Sequence, residues 1–234
     1  MNQILGELGK SQKFKELLNQ IENKQSPIAI SGLNDVGAVQ IETAINQFGK
    51  KPICIITYNE IQAKKIYENV KYFTENVVLF PKKEIVTYDY IAESKDLPYE
   101  RIAVLNKIIL QEKSKEPIII VTTIEAAMQK MISKEELYEN IVDFKIGETY
   151  SIENLKQTFV KLGYERTNLI EGQGQFSIRG GIVDVGLSNK IGVRIEFWGD
   201  EVDSIRYFKI DSQRSTEMIQ NITIFPAHEF IVQN

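Results

Sequence analysis

Apolar and polar residues alternate most regularly over residues 173–214, in short runs rich in Ile, Val, Phe and Tyr that break at Gly180-Gly181, at Leu187-Ser188-Asn189 and at Gly199-Asp200. A period of two punctuated by turn residues predicts antiparallel strands joined by tight turns, a β-meander. In the central run Val193, Ile195 and Phe197 fall on one face and Arg194, Glu196 and Trp198 on the other. The first face reads as core. The second puts a guanidinium and an indole together, and two readings stay open. It is an ordinary sheet surface with a snorkelling Arg and a half-buried Trp, or it is a contact patch, since Arg and Trp are enriched at protein–protein hot spots.

Upstream the period changes. Phe14, Leu17, Leu18 and Ile21 form a helical stripe over residues 11–22. Residues 27–30 read as a short apolar strand, followed by a glycine-containing loop and a helix with Ala38, Ile41, Ile45 and Phe48 on one side. Strands over 53–57, 77–80 and 118–121 then alternate with helices over 61–73 and 99–111, with an irregular stretch at 87–98. That rhythm predicts a parallel sheet covered on both faces by helices. Past residue 133 it changes again: Ser151 is a candidate N-cap and Gly163 a stop for a helix carrying Ile152, Leu155, Phe159 and Leu162. The expected organisation is an α/β domain over residues 1–132, a smaller α+β domain containing the meander over 133–214, and an apolar segment at 215–234 that begins something the chain does not finish.

Composition narrows the function. The 234 residues are 43% hydrophobic and 26% charged, ordinary for a globular protein with enough chain to bury a core. A net charge of -4 gives no global basic footprint, so nucleic acid is not the first partner expected. Cys54 is the one cysteine; in its apolar run it is expected to be buried and inert, and it fits a reducing, cytoplasmic setting. No signal peptide or run of membrane-spanning length is present in the sequence.

One stretch invites a chemical reading. Residues 31–39 read SGLNDVGAV, in which Gly32 and Gly37 have the spacing of the phosphate-binding loop GxxxxGK[ST]. The lysine position holds Ala38 and the magnesium-binding hydroxyl position holds Val39, while Asp35 puts a carboxylate where phosphates would lie. Nucleotide hydrolysis is not expected; two glycines serving an ordinary turn explain the loop. His228 has no evident nucleophile or carboxylate partner and reads as a surface residue. Asp200-Glu201 reads as a solvated hairpin turn, and no Cys/His set has metal-ligand spacing. No catalytic residue, metal or cofactor is expected.

Several runs carry a family resemblance: Gly174-Gln-Phe-Ser-Ile-Arg-Gly-Gly-Ile-Val-Asp-Val185, Val193-Arg-Ile-Glu-Phe-Trp-Gly-Asp-Glu-Val-Asp-Ser-Ile-Arg206, Asp211-Ser-Gln-Arg214, Pro226-Ala-His-Glu229 and Asp96-Leu-Pro-Tyr-Glu-Arg101. Together they resemble the bacterial transcription-repair coupling factors (Mfd) over essentially the whole chain. The resemblance implies a module similar to the helicase UvrB: a RecA-like α/β domain whose ATPase motifs are lost, in agreement with Ala38 and Val39, and a second domain that recruits UvrA, the damage sensor of nucleotide excision repair. It assigns the UvrA contact to Arg179, Arg194 and Trp198. Two positions depart from the family pattern, Trp198 where Phe is usual and Gly186 where an aromatic followed by Pro is common. The resemblance further implies that this chain is part of a longer protein that binds RNA polymerase and DNA through regions beyond residue 234. UvrB itself keeps the Lys-Thr pair and has a long DNA-clamping hairpin for which residues 86–101 have no room. The alternatives are an ATP-dependent helicase fragment using a divergent loop, and DNA binding through a local basic patch.

Overall fold

The computed structural model describes residues 3–83, 96–114 and 116–229 as a mixed α/β protein with parallel and antiparallel sheets. The chain divides into two compact units, residues 1–91 with 103–129 and residues 92–102 with 130–234.

In the first unit, α1 (Gln3–Lys10), α2 (Gln12–Glu22) and α3 (Asp35–Gly49) precede β1 (Ile53–Thr57), α4 (Glu60–Lys71) and β2 (Val77–Phe80). Then come α5 (Asp96–Ser114), which joins this unit at residue 103, β3 (Ile119–Thr123) and α6 (Ile124–Met128). The three strands are parallel in the order β1-β3-β2, with Ile55 and Leu79 both opposite Val121. Parallel neighbours need long crossovers, and α4 and α5 supply them. Val39 of α3 and Ala63 and Val70 of α4 pack on Ile55, Val77, Ile119 and Val121 to form the core. Phe14 meets Phe48 edge-on at 5.9 Å in a second cluster with Leu5 and Ala44.

Three expectations are corrected here. Residues 27–30 form no strand: Pro27 brings no N–H to a ladder, and Gly32 turns the chain at φ +80°, leaving Ile28 to Ile30 too short a run. The parallel sheet is not covered on both faces along β1, where Ile56 is exposed. Cys54 shares that open face and is exposed rather than buried. The irregular stretch expected at 87–98 lies, up to residue 95, outside the described residues.

The second unit is built on the meander. Five strands, β6 (Gln175–Arg179), β7 (Ile182–Gly186), β8 (Ile191–Trp198), β9 (Glu201–Lys209) and β10 (Ser215–Ile219), pair antiparallel in sequence order, and β5 (Glu165–Arg166) adds in parallel beside β6. Each turn expected at Gly180-Gly181 and Gly199-Asp200 is a two-residue hairpin loop whose first residue is a glycine at positive φ, +59° and +64°. The inner face is the predicted one: Val193, Ile195 and Phe197 are buried with Phe176, Val183, Val202 and Ile205. Against it packs α8 (Ile152–Lys161) through Leu155 and Phe159, with the Phe159 ring 5.2 Å from that of Phe176. Ser151 caps α8 as expected, accepting from the Asn154 amide, and Gly163 ends it at φ +84°. A short helix α7 (Lys134–Glu139) precedes β4 (Val142–Lys145), which pairs with β11 (Asn221–Ile224). Residues 215–224, read from sequence as the opening of an unfinished apolar segment, lie in two strands of this unit.

Candidate functional site

The outward face of the meander gathers its polar side chains by register. Asp184 of β7 lies opposite Arg194 of β8, which lies opposite Arg206 of β9, and Glu196 lies opposite Ser204. Alternation therefore lines up charges across three strands. Asp184 is buried, with its side chain 1% exposed, and is the hub: Arg194 donates Nε to its Oδ1 at 2.8 Å and Nη2 to its Oδ2 at 2.9 Å, and Arg179 donates Nη2 to Oδ2 at 2.6 Å. Donating these hydrogen bonds to Asp184 raises the Arg194 pKa above its ordinary value. On its other side the guanidinium lies over the Phe208 ring at 5.0 Å. Arg206 pairs with Glu196 at 3.1 Å, and Ser204 donates to the same carboxylate at 2.7 Å.

Of the three residues singled out from sequence, Arg179 and Arg194 are brought together, while Trp198 ends β8 next to the hairpin turn with 85% of its surface exposed. The indole is not the half-buried one of the surface reading. Asp184 was quoted in the sequence motif but given no role; its signal is a lone carboxylate in the otherwise apolar run Ile182-Val-Asp-Val185, where an unpaired charge would be costly. Gly186, the departure from the family pattern, pairs with Gly192 and lies beneath the Gly172 carbonyl, so a side chain there would collide with backbone.

The glycine loop of the first unit has a different geometry. Asn34 caps α3, its side chain accepting from the Gly37 amide at 2.8 Å and its carbonyl from the Ala38 amide at 2.9 Å. Those amides are the donors a phosphate would need, and they are already engaged. Val39 is buried in the core, and Asp35 pairs with Lys65 at 2.7 Å, which lowers the Asp35 pKa. Ala38 lines a cavity of about 260 Å³ with Glu42, Thr57, Gln62 and Ile66. Among the described residues no cluster of His, Cys, Asp and Glu could hold a metal ion, and no helix is long and apolar enough to cross a membrane. His228 is half-buried against Gly163 rather than on the open surface, because the Ala227 amide bonds the Leu162 carbonyl and draws the segment onto the end of α8.

Residues 142–230, which contain this whole sheet face, match the family described as the UvrB interaction domain. Along its full length the chain is 31% identical to the transcription-repair-coupling factor of Bacillus subtilis (strain 168), covering 100% of this chain and 20% of that protein. It is 27% identical to the transcription-repair-coupling factor of Staphylococcus aureus (strain bovine RF122 / ET3-1), over 98% of this chain and 19% of the relative, and 26% identical to that of Staphylococcus haemolyticus (strain JCSC1435), over 99% and 20%. By class, then, this is an α/β chain bearing a UvrB interaction domain. More particularly, it corresponds to the N-terminal module of the transcription-repair coupling factors, and it spans about a fifth of the length of these relatives.

Proposed function

We propose that the chain is a non-catalytic, cytoplasmic interaction module that recruits the excision-repair protein UvrA in transcription-coupled repair, with the first unit as a degenerate RecA-like scaffold. One observation carries the reading: Arg179 and Arg194 are tied through Asp184 on an outward sheet face, and the exposed Trp198 ends the same strand as Arg194, all inside the stretch that matches the UvrB interaction domain. An exposed guanidinium supplies charge-assisted donors for a partner carboxylate, and an exposed Trp supplies apolar area and one N–H, the usual ingredients of a hot spot. The parallel sheet and the glycine loop before α3 support the scaffold reading. The engaged amides at Gly37 and Ala38 and the buried Val39 support the absence of nucleotide chemistry. In the longer relatives, RNA polymerase and DNA would be engaged by regions outside this stretch.

Titration calorimetry of the chain against UvrA tests this, run in parallel with Arg179→Ala, Arg194→Ala and Trp198→Ala, each checked for a retained fold. Wild type binds, and each folded Arg variant weakens binding at least about tenfold, roughly 1.4 kcal/mol. A wild-type chain that does not bind UvrA sinks the reading. ATP hydrolysis that vanishes in Gly37→Asp would move the assignment to a divergent ATPase.

A further inference from the structure

The two guanidiniums of the proposed contact share a single carboxylate. Asp184 spends Oδ1 on Arg194 and Oδ2 on both arginines, while Arg206 has its own anion in Glu196. Among these five groups the face is left with one positive charge in surplus, and it lies toward Arg179, whose side chain is 46% exposed against 18% for Arg194. Arg194 has committed Nε and Nη2 to Asp184 and one face to Phe208, so only its Nη1 edge is left to offer a partner.

From this arrangement we infer that Asp184 is a positioning residue: it locks both guanidiniums at one spacing, and the surface accepts one partner carboxylate at the Arg179 rim instead of two independent Arg–carboxylate pairs. The inference rests on the UvrA reading and specifies how that site recognises its partner. It makes a prediction whose sign separates it from simple charge complementarity. Asp184→Asn keeps nearly the same shape but removes a negative charge beneath a cationic site. If charge alone mattered, an acidic partner would associate faster and bind the variant more tightly at low salt. If Asp184 positions the arginines, the variant binds more weakly despite its extra positive charge.

The experiment is a kinetic and equilibrium binding series against UvrA with wild type, Asp184→Asn, Arg179→Ala and the double variant. The expected result is at least about tenfold weaker binding by folded Asp184→Asn, seen mainly as faster dissociation. The loss from Arg179→Ala should be smaller in the Asp184→Asn background than in wild type, because the two act as one unit. Without UvrA, the Arg194 Nε–H proton should exchange slowly in the wild-type NMR spectrum and rapidly in Asp184→Asn. Equal or tighter binding by folded Asp184→Asn, with wild type binding UvrA, overturns the positioning role and leaves the UvrA reading standing. Failure of wild type to bind overturns both. Should Asp184→Asn not fold, Arg194→Lys decides: it keeps the charge but cannot span both Asp184 oxygens, so wild-type affinity in that variant overturns the inference.

Discussion

Glu42 stands half-buried on α3, and its Oε2 finds no hydrogen-bond partner among the described residues. Burial pushes its pKa up from 4.5 to about 7. Between those values the folded chain holds a proton that the unfolded chain has lost, so stability falls as pH rises through that window, and the full cost is present above it. Glu42→Gln removes the dependence and stabilises the first unit at pH 8 by an amount on the order of 1–3 kcal/mol, with little effect near pH 4. Urea denaturation of both proteins at pH 5 and pH 8 checks this; parallel pH profiles for wild type and variant would show that Glu42 does not carry the effect. Periodicity put residues of α3 on an apolar stripe but could not single out Glu42, because its raised pKa comes from neighbours on β1 and α4.

The hairpins show what sequence can and cannot say about an element. The alternation from β6 to β9 was legible because each strand buries one face, and a one-residue slip would turn Val193, Ile195 and Phe197 outward. The turns were legible because a two-residue loop needs glycine at positive φ. Residues 27–30 misled for the complementary reason: an apolar run becomes a strand only beside a partner, and none pairs with it among the described residues. Of the site, the shared face of Arg194 and Trp198 was readable from period two, whereas the Asp184 hub depends on register between β6, β7 and β8, which a single sequence does not print. Gly186 tests how tightly that register is held. Its α-carbon lies under the Gly172 carbonyl, so Gly186→Ala forces the crossing loop to shift and costs about 1–3 kcal/mol. Thermal unfolding measures it, and an unshifted midpoint would mean the loop yields freely.

The division of the chain is where sequence order and spatial order part most. Residues 96–102 precede part of the first unit in sequence yet belong to the second, where Tyr99 packs on the core and Arg101 forms a buried ion pair with Glu229, 128 positions away. No local pattern encodes a pairing at that separation; from sequence the two residues were only parts of separate motifs. Both side chains are almost wholly inaccessible, so each charge has lost most of its hydration and depends on the other. Removing one partner takes this compensation from the other: Arg101→Ala should destabilise the second unit by about 3–5 kcal/mol. Replacing both with apolar residues of similar size, Arg101→Met with Glu229→Leu, should be close to neutral or stabilising, because the desolvation cost disappears along with the attraction. Native-state hydrogen exchange of the β6–β9 amides reads the second unit without relying on the first. Protection that drops in Arg101→Ala and returns in the double variant assigns the loss to the buried charge that Arg101 had paired. Protection unchanged in Arg101→Ala would show that this pair does not hold residues 96–102 to the sheet.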